Sequence, residues 1–263
     1  MSKTLGLALG SGGGRGIAHI GILVALEEAG IKPDFVSGCS IGAVVGGCFC
    51  AGISAHEIRD IALRLRVRDI IDIGPSMVSR KALLRSRKVE ELLTEYLGNI
   101  RIEDMPVHFR CLATDLISGR LHVFERGKAV PAVQASCAIP GVFRPIEIDD
   151  MLLVDGGCLC RVPVKAVKDM GADVVVAVDV LSNVSQPIEK VGSVLGLLLR
   201  VFDLMDANQT DMRSRIEGDI VDIVIKPVID NVSQYAIKDL DKSYEVGYQL
   251  GKKYVDKIRT LIK

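Results

Sequence analysis

A serine stands between two glycines in a short turn that could make it a nucleophile. The run is Gly38, Cys39, Ser40, Ile41 and Gly42, a G-x-S-x-G pattern between an apolar strand-like stretch and an apolar helical one. Such a turn forces the serine onto a sharp bend and presents its hydroxyl at a helix N-terminus. A serine that merely caps a helix gives the same pattern, so the turn alone leaves both interpretations open.

A second glycine-rich turn could supply an oxyanion hole. Residues 12–16 read Gly-Gly-Gly-Arg-Gly and come directly before apolar residues at helical spacing. Successive backbone N–H groups at a helix start can point at one anionic oxygen, and the helix dipole supports them. Two phosphate-binding motifs fail on spacing: the dinucleotide fingerprint needs glycine where Arg15 stands, and the P-loop needs a Gly-Lys-Ser or Gly-Lys-Thr that the sequence lacks. A purely structural turn remains the alternative.

The histidines are poorly placed to activate the serine. They lie at positions 19, 56, 108 and 122, so none follows Asp155. The usual hydrolase order of serine, acid and histidine would therefore need an earlier acid, such as Asp115 with His122. We predict no Ser-His-Asp triad and expect all four histidines to be structural.

A carboxylate can act as the base itself if desolvation raises its basicity. Asp155 is the best candidate, because it ends an apolar strand and precedes Gly156 and Gly157. That position is the carboxyl edge of a sheet, where α/β proteins build their sites. Asp115 and Asp179 are rivals, and a simple turn aspartate is the alternative.

Strand and helix patterns alternate along the chain that must position these residues. Apolar runs predict strands at 4–9, 33–36, 107–113, 120–124, 151–154, 173–180 and 219–228. Helical patterns fall at 17–30, 42–51, 54–65, 89–97, 129–136, 162–170, 191–205 and 243–262. Residues 173–180 are almost wholly apolar, which is typical of a parallel strand buried on both faces. We therefore predict an α/β fold, with residues 64–87 as a surface excursion and 182–186 as a linker.

Composition excludes several classes of protein. Of 263 residues, 49% are hydrophobic and 25% charged, which excludes a collagen, a disordered tail and a repeat-rich filament. The 33 basic and 33 acidic residues cancel, so no global field concentrates nucleic acid, and we expect no nucleic-acid partner. Any membrane contact must be local.

The seven cysteines and the N-terminal sequence indicate a reducing compartment. An odd number of cysteines in a chain of this length does not indicate a disulfide framework, and no signal-peptide pattern opens the sequence, so we expect a cytoplasmic protein. The C-x-C pairs at 48/50 and 158/160 lack a histidine at zinc-finger spacing, so buried small apolar residues are the better interpretation. Residues 35–55 are uncharged, but five glycines and no leucine argue against a membrane span.

Taken together, four motif blocks resemble the patatin-like phospholipase family in order and spacing. They lie at residues 11–21, 38–42, 135–141 and 154–157, while residues 113–119 resemble the small bacterial branch. The resemblance covers about residues 4–180, and a weaker similarity continues towards the C-terminus. It implies a single domain over residues 1–263, with the motif-bearing core at 4–180 and an extension of helices and strands at 181–263.

The resemblance implies a three-layer α/β/α sandwich with a mainly parallel central sheet, and a Ser-Asp dyad. In that dyad Ser40 is the nucleophile and Asp155 the general base. Backbone amides of the glycine loop would form the oxyanion hole, from Gly12, Gly13, Gly14 and Arg15. The supporting motif positions are Gly38, Gly42, Gly156 and Gly157. The resemblance implies no metal in catalysis, and we expect no cofactor.

The function implied is a serine acyl hydrolase acting on a fatty-acyl ester, either a phospholipid or a simpler lipid. An acyltransferase using the same serine and a regulatory protein with a vestigial site are the alternatives. One departure is that family members often carry an asparagine before a proline after the Asp-Gly-Gly block, whereas residues 158–163 read Cys-Leu-Cys-Arg-Val-Pro. Headgroup, acyl length, positional preference, peripheral membrane contact and a homo-oligomer are left open by the sequence.

The leucine-rich helix at 191–205 has two interpretations. It is too interrupted by glycine and charge to span a bilayer, yet richer in leucine than a surface helix requires. A core helix packed on the sheet is the favoured prediction. The alternative is that this helix, with residues 64–87, lines an acyl groove or a dimer contact near Ser40.

Overall fold

One mixed sheet organises the chain in a computed structural model that describes residues 2–70, 87–183, 192–230, 232, 234–235 and 239–263. Within these residues the strands are β1 (Leu5–Leu9), β2 (Phe35–Cys39), β3 (His108–Asp115), β4 (Arg120–Phe124), β5 (Ile146–Ile148), β6 (Met151–Asp155), β7 (Val174–Val178) and β8 (Ile223–Ile225). Their order is β5-β6-β3-β2-β1-β7-β8, and β4 pairs with β3. The pairs from β3 through β2, β1 and β7 to β8 are parallel, while β4, β5 and β6 pair antiparallel. The mainly parallel sheet is confirmed, and β5 is a strand that the sequence pattern missed.

Helices cover both faces of this sheet. They are α1 (Ile17–Glu28), α2 (Ile41–Cys50), α3 (Ala55–Arg64), α4 (Val67–Ile70), α5 (Arg87–Leu97), α6 (Ala129–Ser136), α7 (Val164–Lys168), α8 (Val194–Ile216) and α9 (Leu240–Ile262). In β1, the side chains of Leu5, Leu7 and Leu9 enter a large core that includes buried residues of α1, α2, α3, α5 and α6. Ala8, on the other face, packs in a smaller core with α7. The predicted three-layer α/β/α sandwich is therefore confirmed.

Most predicted elements lie where the patterns placed them. Ser54 caps α3 in a capping box, accepting from the Glu57 amide while the Glu57 side chain accepts from the Ser54 amide. The last strand is shorter than predicted, because residues 218–220 form a 3-10 turn before β8. Of the predicted surface excursion and linker, residues 71–86 and 184–186 lie outside the described residues.

The helix α8 corrects the favoured prediction of a core helix. Its buried residues are Asp203 and Asp206, both acidic. Several of its apolar side chains are exposed instead, and Leu198 is 61% exposed. Hydrophobicity predicted that this segment would be helical, but the helix buries its polar face because that face meets charged and polar groups of the fold. Among the helices in the described ranges, none is sufficiently long and hydrophobic for a bilayer crossing.

Candidate active site

Ser40 lies on the sharp bend that the sequence predicts, between β2 and α2. Its backbone has φ 53° and ψ −124°, a left-handed φ that is costly for a residue with a Cβ. The flanking glycines permit this bend, because a Cβ at Gly38 would lie 2.4 Å from the Gly42 carbonyl oxygen, and one at Gly42 would lie 2.1 Å from that of Leu9. The Ser40 amide donates to the Ser136 hydroxyl at 2.9 Å. A strained, buried serine held in this way matches a nucleophile better than a helix cap.

Asp155 ends β6 and faces Ser40. Its carboxylate accepts from the Gly157 amide at 2.8 Å, and its backbone pairs with Ala113 of β3. A Cβ at Gly156 would lie 2.3 Å from a β3 carbonyl oxygen, so the Asp-Gly-Gly turn can approach the sheet only with glycine there. Burial raises the pKa of Asp155 to about 6, while contacts with the Ser40 side chain and the Gly157 amide act in the opposite direction.

The rival acids are engaged elsewhere. Asp115 accepts hydrogen bonds from the Ser118 hydroxyl and from three backbone amides, and these bonds lower its pKa to about 2. A carboxylate with so low a pKa is a weak base. Asp179 accepts from the buried Arg161 guanidinium at 3.2 Å. The structure therefore leaves Asp155 as the carboxylate beside Ser40 that is best suited to accept a proton.

The four histidines lie in α1, α3, β3 and β4. His19 is fully buried in α1 and its Nε2 donates to the Gly10 carbonyl at 2.8 Å, while burial lowers its pKa to about 4. His56 is partly exposed beside Glu28, His108 stacks on a phenylalanine ring, and His122 lies on β4. In the part of the chain that the structure describes, no histidine lines the cavity at Ser40.

A cavity of about 30 Å³ joins Ser40, Asp155 and the glycine loop. Of the other site residues predicted from the sequence, Gly13 and Gly157 line this cavity. Phe202 and Tyr235, from the C-terminal part of the chain, close it. Within the described residues, no group of three or more His, Cys, Asp or Glu side chains is arranged to hold a metal ion. The volume accommodates about two water molecules, far below the several hundred Å³ typical of ligand pockets.

The glycine loop adopts a 3-10 turn, Gly13–Gly16, directly before α1. The Gly14 amide donates to the Gln234 carbonyl at 3.0 Å, and the Arg15 amide donates to the Gly12 carbonyl at 3.1 Å. The Arg15 side chain turns towards the C-terminal part of the chain. There its Nε donates to the Val232 carbonyl at 2.7 Å and its Nη1 to Asn183 Oδ1 at 2.6 Å.

Sequence reasoning missed a set of buried charges near Ser40 and Asp155. Arg161 donates to Asp206 of α8 at 2.8 Å as well as to Asp179. Burial raises the pKa of Asp206 to about 6, and Arg161 opposes that rise. The Asp206 charge in turn raises the pKa of Asp155. The sequence did contain one indication of these charges. Asp203 and Asp206 are three residues apart in an apolar helix, which places both on one face.

The fold and this grouping of serine, aspartate and glycine loop define the class of patatin-like α/β proteins. The chain belongs to the patatin-like phospholipase family, whose pattern matches residues 7–168. Its fold is similar to that of VipD from Legionella pneumophila, with a TM-score of 0.63 at 14% identity, covering 97% of this chain and 67% of that one.

Curated relatives include an uncharacterised NTE family protein of Mycobacterium tuberculosis (strain ATCC 25618 / H37Rv), 39% identical over 186 residues that make up 71% of this chain and 51% of the relative. The lysophospholipase nte1 of Emericella nidulans is 28% identical over 284 residues, covering 98% of this chain and 18% of the relative. The chain thus spans about half the length of the mycobacterial relative and a smaller share of the fungal one.

Proposed function

We propose that the chain is a serine acyl hydrolase in which Ser40 and Asp155 form a catalytic dyad acting on a fatty-acyl ester. The observation that carries the proposal is that a strained, buried serine and a buried carboxylate line the same cavity, where burial raises the pKa of the carboxylate to about 6. Membership of the patatin-like phospholipase family supports the lipid class of the substrate.

The proposed reaction proceeds through an acyl-enzyme. Ser40 Oγ attacks the ester carbonyl carbon while Asp155 takes the hydroxyl proton, and loop amides bind the oxyanion. The tetrahedral intermediate collapses, and the alcohol leaves with the proton from Asp155. Water then attacks the acyl-enzyme and gives its proton to Asp155, and the second collapse releases the fatty acid as the proton returns to Ser40.

Burial gives Asp155 the basicity that this role requires. A carboxylate with an ordinary pKa near 4 accepts a proton poorly at neutral pH, whereas one near 6 is both ionised and closer in basicity to the operating pH. The Gly157 amide holds the carboxylate in one orientation without needing a histidine between it and the serine.

A lysophospholipid is the first substrate to test, because the fungal relatives are named as lysophospholipases. The assay measures fatty acid released from micellar lysophospholipid and from a short-chain nitrophenyl ester, with and without an added alcohol acceptor. We expect free fatty acid as the main product from both esters. No release from either, or acyl transfer to the acceptor at the expense of hydrolysis, would contradict the proposal.

The raised pKa of Asp155 predicts the pH dependence of hydrolysis. General-base action needs the ionised carboxylate, so kcat/KM should fall as the pH drops through about 6. Because the Asp206 charge raises the pKa of Asp155, Asp206→Asn should move this acid limb to lower pH. A profile of kcat/KM against pH for both proteins, on a soluble ester, measures the shift. A missing acid limb would argue against Asp155 as the base, and a limb that Asp206→Asn leaves in place would contradict the influence of Asp206 on the pKa of Asp155.

The two interpretations of α8 predict different effects of polar substitutions. Leu198 is largely exposed, so Leu198→Ser should change the free energy of unfolding by only about 0.5 kcal/mol or less. Phe202 lines the cavity at Ser40, so Phe202→Ser should raise KM about tenfold for long-chain esters and spare short-chain ones. Thermal melts and kinetics on esters of two chain lengths check both. Equal losses on both esters with a large fall in melting temperature would contradict an acyl groove.

A further inference from the structure

The glycine loop already holds a carbonyl oxygen of the chain itself. The Gly14 amide donates to the Gln234 main-chain carbonyl at 3.0 Å. Gly13 has φ +50°, and a Cβ there would lie 1.9 Å from the same oxygen, so this carbonyl is seated tightly against the loop. Loop amides of this kind are the donors that would bind the oxyanion of an ester. A donor of the proposed oxyanion hole is therefore occupied in this conformation.

The segment that supplies this carbonyl is tied to α8 by one buried carboxylate. Asp203 accepts from the Gln234 side-chain amide at 2.7 Å and from the Tyr235 hydroxyl at 2.5 Å. Asp203 is only 8% exposed, whereas Tyr235 is 41% exposed. These two hydrogen bonds between α8 and the Gln234–Tyr235 turn therefore share one acceptor oxygen, Asp203 Oδ1.

Two arginines also hold α8 and the segment around Gln234 against the rest of the fold. Arg161 donates to Asp206, one helical turn beyond Asp203 on the same face of α8. Arg15 donates to the Val232 carbonyl, two residues before Gln234, and to Asn183. The side chain of Arg15 thus anchors the covering segment to the glycine loop itself.

An ester with an acyl chain cannot enter the site as it stands. The cavity beneath Phe202 and Tyr235 holds only about 30 Å³, which is room for about two water molecules. One of the two segments that close the cavity, the Gln234–Tyr235 turn, also supplies the carbonyl that accepts from the Gly14 amide. Moving them would enlarge the cavity and release that amide together.

We propose that α8 and the Gln234–Tyr235 turn form a lid, and that the lid in this closed conformation inhibits the site by placing the Gln234 carbonyl in the oxyanion loop. The inference rests on the proposed roles of Ser40 and the loop. Substrate displaces the Gln234 carbonyl from Gly14, and the Asp203 contacts set how readily the lid opens.

Removal of the Tyr235 hydroxyl tests the lid without touching the dyad. Tyr235→Phe loses a hydrogen bond to a buried carboxylate, and such a loss should shift the opening equilibrium about tenfold or more. The matched control is Tyr248→Phe, which loses a tyrosine–carboxylate bond of the same kind, to Glu28 at 2.8 Å on an exposed surface. Asp203→Ala removes both ties to the turn and should have the larger effect.

Two readouts keep this test independent of the proposed reaction. Amide exchange should accelerate about tenfold at Gly14 in Tyr235→Phe and remain unchanged in β1 and in the control variant. Labelling of Ser40 by a small fluorophosphonate should accelerate by a similar factor. Unchanged exchange at Gly14, acceleration that extends to β1, or unchanged labelling despite faster exchange would overturn the lid. A protein that is never labelled would refute the role of Ser40, while the exchange result would still show whether the segment opens.

Discussion

Ser40→Ala will lower ester hydrolysis by a factor on the order of 10⁶, because it removes the atom that carries the acyl group in the proposed reaction. The neighbouring Cys39 will not substitute for it. That thiol is fully buried and its pKa is raised well above the ordinary value, so the reactive thiolate does not form. Initial rates on a soluble nitrophenyl ester measure the loss.

The fold should survive this change. The bend at Ser40 depends on Gly38 and Gly42, which remain, so the free energy of unfolding should change by about 1 kcal/mol or less. A thermal melt of Ser40→Ala beside the unaltered protein provides the control. Near-native turnover in a folded Ser40→Ala protein would remove Ser40 from the mechanism.

Asp155→Asn should lower kcat by about 10² to 10⁴, the usual contribution of a general base. The amide can still occupy the site of the carboxylate beside Gly157, so the loss reports the missing proton acceptor rather than a collapsed turn. Stability should not fall at neutral pH, since an aspartate whose pKa is raised by burial opposes folding when it is ionised. Kinetics and melting curves of the same preparation separate the two effects.

His122→Ala is the matched control for the proposed dyad. His122 lies on β4 and, with an earlier acid, was the histidine that could have completed a conventional triad. Its replacement should leave kcat within a small factor of the unaltered protein. A loss as large as that of Asp155→Asn, at unchanged stability, would show that the base is a histidine.

Local steric and hydrogen-bonding rules explain what the sequence could predict. Gly38 and Gly42 flank a serine because the bend leaves no room for a Cβ, and this requirement is visible in five consecutive residues. The capping box at Ser54 is equally local. The position of Asp155 followed from an apolar strand that ends in glycines, and sheet pairing with β3 does place it beside the serine turn.

Contacts between distant segments explain what the sequence could not predict. Arg161 meets Asp206 across 45 positions of the chain, and Tyr235 meets Asp203 across 32. The sequence of α8 shows an apolar face and an acidic face but not which of them is buried. Burial of the apolar side chains is the usual outcome, so the sequence alone favoured the wrong face. Only the fold shows that acidic residues of α8 are buried and that the Gln234–Tyr235 turn contacts the glycine loop.

Fluorophosphonate labelling followed by peptide mapping tests the central claim most directly. The probe reacts with activated serines and forms a covalent bond at the nucleophilic oxygen. We expect a single labelled peptide that contains Ser40, slower labelling as the pH falls through about 6, and no labelling of Ser40→Ala. Labelling at another serine, or labelling that persists in a folded Ser40→Ala protein, would contradict the assignment of Ser40 as the nucleophile.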